Sequence, residues 1–355
     1  MDDLAPQSFP SQLLECQAAA NRILQVQETS GAIPWFENGA WDPWNHTESA
    51  MALTVMGETD AADLAYKYLA DTQRLDGAWF GDYGNALPMV GRDYISREAA
   101  PQMLDTNFCA YPAVGITHAY LKSGDVNWPR QYWPMVKAAM DFVLSLQRSD
   151  GTISWSLEAV GTDEDDALLA GNASIAKSLE CAIFLARALS EPCANWVLAH
   201  TRLLSALRSQ PGAFDRRGTG ARFAMDWYYP ILSGALSRET SEARLAAGWK
   251  TYVAEDMGCR CVTDEPWITV AETSELVITL VSLGKRDLAQ RMLDQVANIH
   301  DRDGVFWMGW QFAENLYWPK EKPSWTQAAY ILAKDALFGT DASSRLLTHS
   351  LLETP

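Results

Sequence analysis

The sequence predicts an all-α fold, a single (α/α)6 toroid over residues 1–355, with the second helix of each of six hairpins lying inside. Three observations predict it. Gly31, Gly77, Gly151, Gly212, Gly258 and Gly304 each follow a stretch of helical apolar periodicity. Gly31 to Gly77, Gly212 to Gly258 and Gly258 to Gly304 are each 46 residues apart, while the other two intervals, 74 and 61, carry insertions. Fixed punctuation at such a period marks stacked supersecondary units. The second helix of each unit is apolar nearly all round, as in 50–56, 275–281 and 328–333, and a helix of that kind is buried. Alternating strand and helix signals are absent. An open α-solenoid is the competing architecture, but six hairpins is a number that closes into a ring.

The hairpins fall at roughly 11–57, 60–122, 130–190, 194–237, 240–284 and 286–340. In each, a first helix ends near a polar residue, a turn carries the glycine, a loop follows, and a second helix begins. Gln27 precedes Gly31 and Trp35; Gln73-Arg-Leu-Asp-Gly77-Ala-Trp79 is the sharpest copy. Gln147 precedes Gly151 and Trp155, and His300 precedes Gly304 and Trp307. The glycine is expected to take a left-handed conformation at the helix end. Trp79 and Trp155 read as packing wedges between hairpins. The second helices start near 44–50, 105–111, 165–170, 223–227, 269–275 and 324–328.

Charge and composition narrow the function. Lys and Arg number 28 against 45 Asp and Glu, a net −17, which excludes nucleic acid or an anionic membrane as the main partner and disfavours a strongly anionic substrate. The start, MDDLAPQSFP, has no apolar core and does not read as a signal peptide. No run approaches about 20 uninterrupted apolar residues, so no transmembrane segment is expected. Six scattered cysteines in a chain this long fit reduced thiols in the cytoplasm. Five histidines and the tight Cys259-Arg-Cys261 offer no recognisable metal set, and no phosphate loop, dinucleotide fingerprint or nucleophile elbow appears. Neither a metal nor a cofactor is therefore expected. Fifteen tryptophans suggest an aromatic-lined cavity.

In this topology the turn-to-helix loops gather at one mouth, where carboxylates alternate with aromatic rings. The expected binding residues are Trp44, His46, Glu48, Asp105, Asn107, Asp226, Trp227, Tyr228, Glu272, Glu275, Trp307 and Trp310. Acids at helix starts also serve as caps. Glu272 and Glu275 share a face of a buried helix, which is costly unless that face opens on a lumen. In Gly-Thr-Asp163-Glu-Asp165-Asp166, burial and like charge would raise one proton affinity and leave a carboxylic acid able to donate. Rings with carboxylates suit two chemistries: acid–base cleavage of a glycoside, with rings stacked on sugar faces, or a carbocation cascade started by an acid and steadied by π faces.

The copy at 73–79, with looser copies at 27–35, 147–155 and 300–307, resembles the QW repeat of the terpenoid cyclase and protein prenyltransferase toroids. Asp163-Glu-Asp165-Asp166 resembles the DxDD acid of class II terpene cyclases. The resemblance implies a proton-initiated cyclisation of an isoprenoid, an isomerase or lyase reaction. Asp165 would be the catalytic acid, with Asp163 and Asp166 tuning it. The alternative resemblance is to six-hairpin glycosidases, which share the ring and place paired carboxylates and tryptophans at one mouth. It implies a carbohydrate substrate and a pair drawn from Asp42, Glu48, Asp105, Asp226, Glu272 and Glu275.

Overall fold

The computed structural model describes residues 11–81, 103–158, 166–216 and 222–352. Six outer helices alternate with six inner ones. The outer set is α1 (Gln17–Val26), α3 (Thr59–Thr72), α6 (Asn127–Ser145), α8 (Ala194–Ser209), α10 (Arg238–Tyr252) and α12 (Arg286–Val296). The inner set is α2 (Pro43–Val55), α4 (Thr106–Ala110) continued by α5 (Pro112–Ser123), α7 (Leu169–Leu189), α9 (Ala224–Leu232), α11 (Val270–Ser282) and α13 (Ser324–Phe338). The break between α4 and α5 falls at Pro112, whose ring has no N–H to continue the ladder.

Each inner helix packs on the next, α2 on α5, α5 on α7, α7 on α9, α9 on α11 and α11 on α13, and α13 returns to α2. The ring is closed, so the solenoid is excluded. The burial pattern follows position. Outer α12 hides one stripe, Ala289, Met292, Leu293 and Val296, at the spacing of a single helix face. Inner α2 buries every residue but Asn45. Helix α7 is long and apolar enough to cross a membrane by composition, yet it is largely buried in the ring between α5, α6, α8 and α9.

The turn glycines do two jobs. Gly31, Gly77, Gly151 and Gly304 have φ of +99°, +87°, +94° and +83°, a region open to residues without a Cβ. They fall several residues beyond the helix end rather than on it, and each N–H is accepted by the carbonyl three residues earlier. A Cβ on Gly77 would lie 2.2 Å from the Ala138 carbonyl oxygen of α6, and one on Gly31 would lie 2.4 Å from that of Leu64 on α3. The turn therefore touches the next outer helix backbone to backbone. The repeated glutamine reinforces this contact. Gln73 Nε2 donates to Gly77 O (2.9 Å) and to Met135 O of α6 (3.0 Å). Gln27 reaches Ala61 O and Gln147 reaches Ala199 O, both at 2.9 Å. Trp79 is fully buried and its indole N–H donates to Leu69 O (3.2 Å), as a wedge should.

A second clasp joins each turn to its own inner helix. The fourth residue of five inner helices accepts a backbone N–H from just beyond the turn glycine. Ile33 N–H bonds His46 Nδ1 (3.1 Å), Trp79 N–H bonds Cys109 Sγ (3.3 Å), Ile153 N–H bonds Asn172 (2.8 Å), Cys259 N–H bonds Thr273 (2.9 Å) and Phe306 N–H bonds Gln327 (3.0 Å). The fourth hairpin departs from the scheme: Gly212 sits in a 3₁₀ turn without left-handed backbone, and the fourth residue of α9 is Trp227.

Short strands, unanticipated by the sequence reading, stitch the loops together. β1 (Met103–Asp105) pairs antiparallel with β2 (Ser156–Glu158), and β3 (Val253–Ala254) with β4 (Gly258–Cys259). β5 (Trp267–Thr269), β6 (Gly309–Gln311) and β7 (Leu316–Tyr317) form a three-stranded sheet, with Ile268 opposite Trp310 and Trp310 opposite Tyr317. Gly77→Ala should lower the thermal midpoint more than Gly57→Ala. Both sites have positive φ, but Gly57 faces open space, whereas Gly77 adds an overpacking cost of about 1–3 kcal/mol. Thermal melts of the two variants check the difference.

Candidate active site

All six inner helices start at the same end of the ring, where their unpaired N–H groups favour negative charge. Asp105 caps α4 by accepting the Phe108 N–H (3.0 Å). Asp42 caps α2 through Asn45 N–H (2.9 Å) and also accepts Asn45 Nδ2 (2.5 Å) and the Trp35 indole N–H (2.6 Å). Helix α7 has no cap of its own. Asp215 accepts the Leu169 N–H (3.2 Å) and Asp226, from the first turn of α9, accepts the Ala170 N–H (3.3 Å). Asp166 accepts N–H groups of Ala167 (2.8 Å) and Arg216 (3.1 Å), with the Arg216 guanidinium at 3.7 Å.

Four of these carboxyls, Asp105, Asp166, Asp215 and Asp226, line one cavity of about 540 Å³, together with Phe108, Trp155 and Phe223. The buried Oδ1 of Asn107, another lining residue, has no partner. Burial pushes the Asp105 carboxyl up to about 7, opposed by the Phe108 and Asn107 N–H groups and assisted by Asp42. Asp226 also rises to about 7, through burial and then the charge of Asp215, opposed by the Ala170 N–H and Arg244. Asp42 rises to about 6 because it is wholly buried, with its donors pulling the other way.

One turn deeper lies a floor of acids and rings. Glu48 and Glu275 are each the sixth residue of an inner helix. Glu48 accepts the Tyr111 hydroxyl (3.1 Å); Glu275 accepts that of Tyr229 (2.9 Å) and that of Tyr228. Trp44 stacks on Tyr111 at 4.0 Å, with 9° between the rings. Burial raises Glu48 to about 7, with the Asp42 charge adding to it, and raises Glu275 well above the carboxylate range, where the Glu48 charge adds.

The other expected residues fall elsewhere. His46 is wholly buried behind the wall, with Nδ1 accepting from Ile33 and Nε2 facing the Ala65 carbonyl at 3.0 Å. It is a clasp, and burial lowers it to about 4. Trp227 points outward: its indole N–H donates to Arg244 O (2.8 Å) and its ring stacks on Tyr252 (5.2 Å) against α10. Glu272 accepts the Thr269 hydroxyl in the first turn of α11. Trp307 stacks on Tyr317 (5.4 Å), and Trp310 meets the same ring edge-on. Asp163 and Asp165 lie outside the described residues. Asp215, Phe108 and Phe223 were missed as cavity residues: Asp215 sits in an aperiodic segment and reaches the site only because α7 begins beside it. Trp155, read as a wedge, lines the cavity.

No protein-family model matches the chain. It is 41% identical over 326 residues to the MMP endo-(1,4)-3-O-methyl-alpha-D-mannosidase of Mycolicibacterium hassiacum, across 92% of this chain and 87% of that one. Among solved structures, a glycosidase superposes with a TM-score of 0.69 at 15% identity, covering 94% of this chain and 99% of its own. The GH63 mannosylglycerate hydrolase from Thermus thermophilus, in complex with glucose, gives 0.67 at 12% identity, covering 89% and 98%. These likenesses overturn the resemblance to terpenoid cyclases and prenyltransferases, and with it the isoprenoid substrate, the isomerase or lyase chemistry and the cyclase reading of the DxDD-like run. The physical reason is visible in the fold. The Gln-x-x-Asp-Gly-x-Trp motif fastens one hairpin to the next, a task set by the ring and not by its chemistry.

Because the folded protein holds a proton on Asp105 more tightly than the unfolded chain does, this carboxyl costs stability as pH rises from about 4 through 7. Asp105→Asn keeps a capping side chain and removes that cost. Its midpoint relative to the parent should rise between pH 5 and pH 8; an unchanged difference in melts at the two values would contradict the assigned burial.

Proposed function

The chain belongs to the family of the MMP endo-(1,4)-3-O-methyl-alpha-D-mannosidase, and from that premise we propose that it is a glycoside hydrolase acting on an α-(1→4)-linked mannoside polymer. The observation that carries the reading is the mouth cavity, where Asp105 and Asp226 stand among aromatic rings. Hydrolysis of a glycoside needs one carboxyl to protonate the leaving oxygen and another to activate water or attack the anomeric carbon.

The two environments assign the roles. Asp226 is buried beside a second carboxyl, Asp215, so it retains a proton and serves as the general acid. Asp105 is raised as far by burial, but it accepts two backbone N–H groups, from Phe108 and Asn107, against the single Ala170 N–H on Asp226, and serves as the base. The proton leaves Asp226 for the glycosidic oxygen as the C–O bond breaks. Water adds at the anomeric carbon and gives its proton to Asp105, so charge balances over the cycle. Phe108, Trp155 and Phe223 offer apolar faces for the sugar, and Asn107 Oδ1 offers an acceptor for a hydroxyl. Asp166 and Asp215 are committed to backbone N–H groups and hold the loop and α7 in place.

Asp226→Asn and Asp105→Asn should each lower kcat on an α-(1→4)-mannooligosaccharide by about 10²–10⁴-fold. Undiminished turnover in both variants would sink the assignment. Since both groups sit near 7, kcat/KM should fall on either side of neutral pH, on the acid side as Asp105 gains a proton and on the alkaline side as Asp226 loses one.

A further inference from the structure

A separate cavity of about 240 Å³ lies among the last residues of α9 and α11, the first turn of α10, one face of α8 and the segment 347–352. It shares no residue with the carboxyl-bearing cavity at the mouth. Its charge runs against that of the chain. The protein carries a net −17, yet the charged side chains here are Lys177, Arg208 and Arg238 against Glu180, with His200 and His349 beside them.

Part of this charge is already spent. Lys177 is 4% exposed, and its Nζ donates to Glu180 (2.8 Å) and to His349 O (2.9 Å). Glu180 also accepts the Ser350 hydroxyl (2.7 Å) and the Leu351 N–H (2.5 Å), so its carboxylate is well answered. Arg208 Nε donates to Ala235 O (2.6 Å). Arg238 donates to Leu283 O (3.0 Å) and meets Glu242 at 3.1 Å. The attraction of a cation to carbonyls at a helix end accounts for those two arginine–carbonyl bonds.

It does not account for what is left over. The Lys177 ammonium has three protons and two acceptors. The Arg208 Nη groups have no protein partner among the described residues. Neither has the hydroxyl of Ser241, a residue only 3% exposed that lines the cavity. Ser241 lies in the first turn of α10, where unpaired backbone N–H groups also favour negative charge. Each of these groups can donate, and their common counterpart is an anion with several acceptor oxygens. A cavity below the roughly 300–1,000 Å³ of drug-sized sites admits a small one. Donors arriving from α7, α8 and α10 suit a tetrahedral phosphate better than a planar carboxylate, which accepts within one plane.

We propose that this cavity binds a phosphate group, free or carried by a sugar, and that Lys177, Arg208 and Ser241 hold it. The site goes beyond the reaction at the mouth and does not depend on it.

Isothermal titration calorimetry at fixed ionic strength tests the site, with inorganic phosphate, mannose 6-phosphate and mannose titrated into the parent, Arg208→Gln and Ser241→Ala. Lys177 is left in place, because its loss would strand the buried Glu180 charge. The parent should bind both phosphates. Arg208→Gln should weaken them by roughly ten- to hundredfold and Ser241→Ala by about tenfold, while any heat from mannose stays the same in all three proteins. Tighter binding of mannose 6-phosphate than of inorganic phosphate assigns the group to a sugar; the reverse assigns it to the free ion. Ser241→Ala removes a hydroxyl that holds nothing in the fold, so it reports even where Arg208→Gln unfolds. A parent that takes up neither phosphate, or phosphate affinity unmoved in the variants, overturns the site and leaves the hydrolase reading untouched.

Discussion

The ring depends on a backbone-to-backbone contact between the turns of its first three hairpins and the neighbouring outer helices. At Gly77 a side chain would collide with Ala138 O, and Gln73 bonds both the turn and that helix. The bonds are ordinary in strength, about 1 kcal/mol each net. Their effect is geometric. Repeated at Gln27, Gln73 and Gln147, they set the angle between successive hairpins, while the clasp at the fourth residue of five inner helices sets the height of each inner helix against its own turn. Where the fourth hairpin lacks the left-handed glycine, Trp227 occupies the clasp position and wedges against α10 instead.

That geometry determines the electrostatics of the mouth. Six helix starts at one end gather unpaired N–H groups, and the chain answers with Asp42, Asp105, Asp215 and Asp226. Each carboxyl is locally a cap. Brought together and shielded from water, they repel one another and hold protons more tightly. Acid–base capacity at neutral pH thus arises from side chains whose local job is structural. The deeper pair, Glu48 and Glu275, extends the same logic: tyrosine hydroxyls satisfy them and tie α2 to the α4–α5 junction and α9 to α11.

The terpenoid reading failed for an instructive reason. Carboxylic acids among aromatic rings serve a carbocation and a glycoside alike, and a motif that builds the ring says nothing of which one is bound. The acids that line the described cavity come from hairpins two, three and four, with no common sequence signature. Asp215 lies three residues after a turn glycine with no periodicity around it. Trp155 looked like Trp79 in sequence, yet one faces the cavity and the other is sealed in the core.

By itself, the sequence determined the helical hairpins, their number, and which member of each pair lies inside. Those features are local: apolar spacing sets helix faces, and glycine sets the turns. It also named most of the rim acids, because a helix start is recognisable from its cap. Only the tertiary structure decided which way each residue faces. Ring closure turned His46 and Trp227 away from the mouth, set Asp226 beside Asp215, and joined the loops of successive hairpins through β1–β2 and β5–β6. The reason is physical: proton affinity and cavity shape depend on desolvation and on neighbours far apart in the chain, and neither is written in the spacing of residues along it.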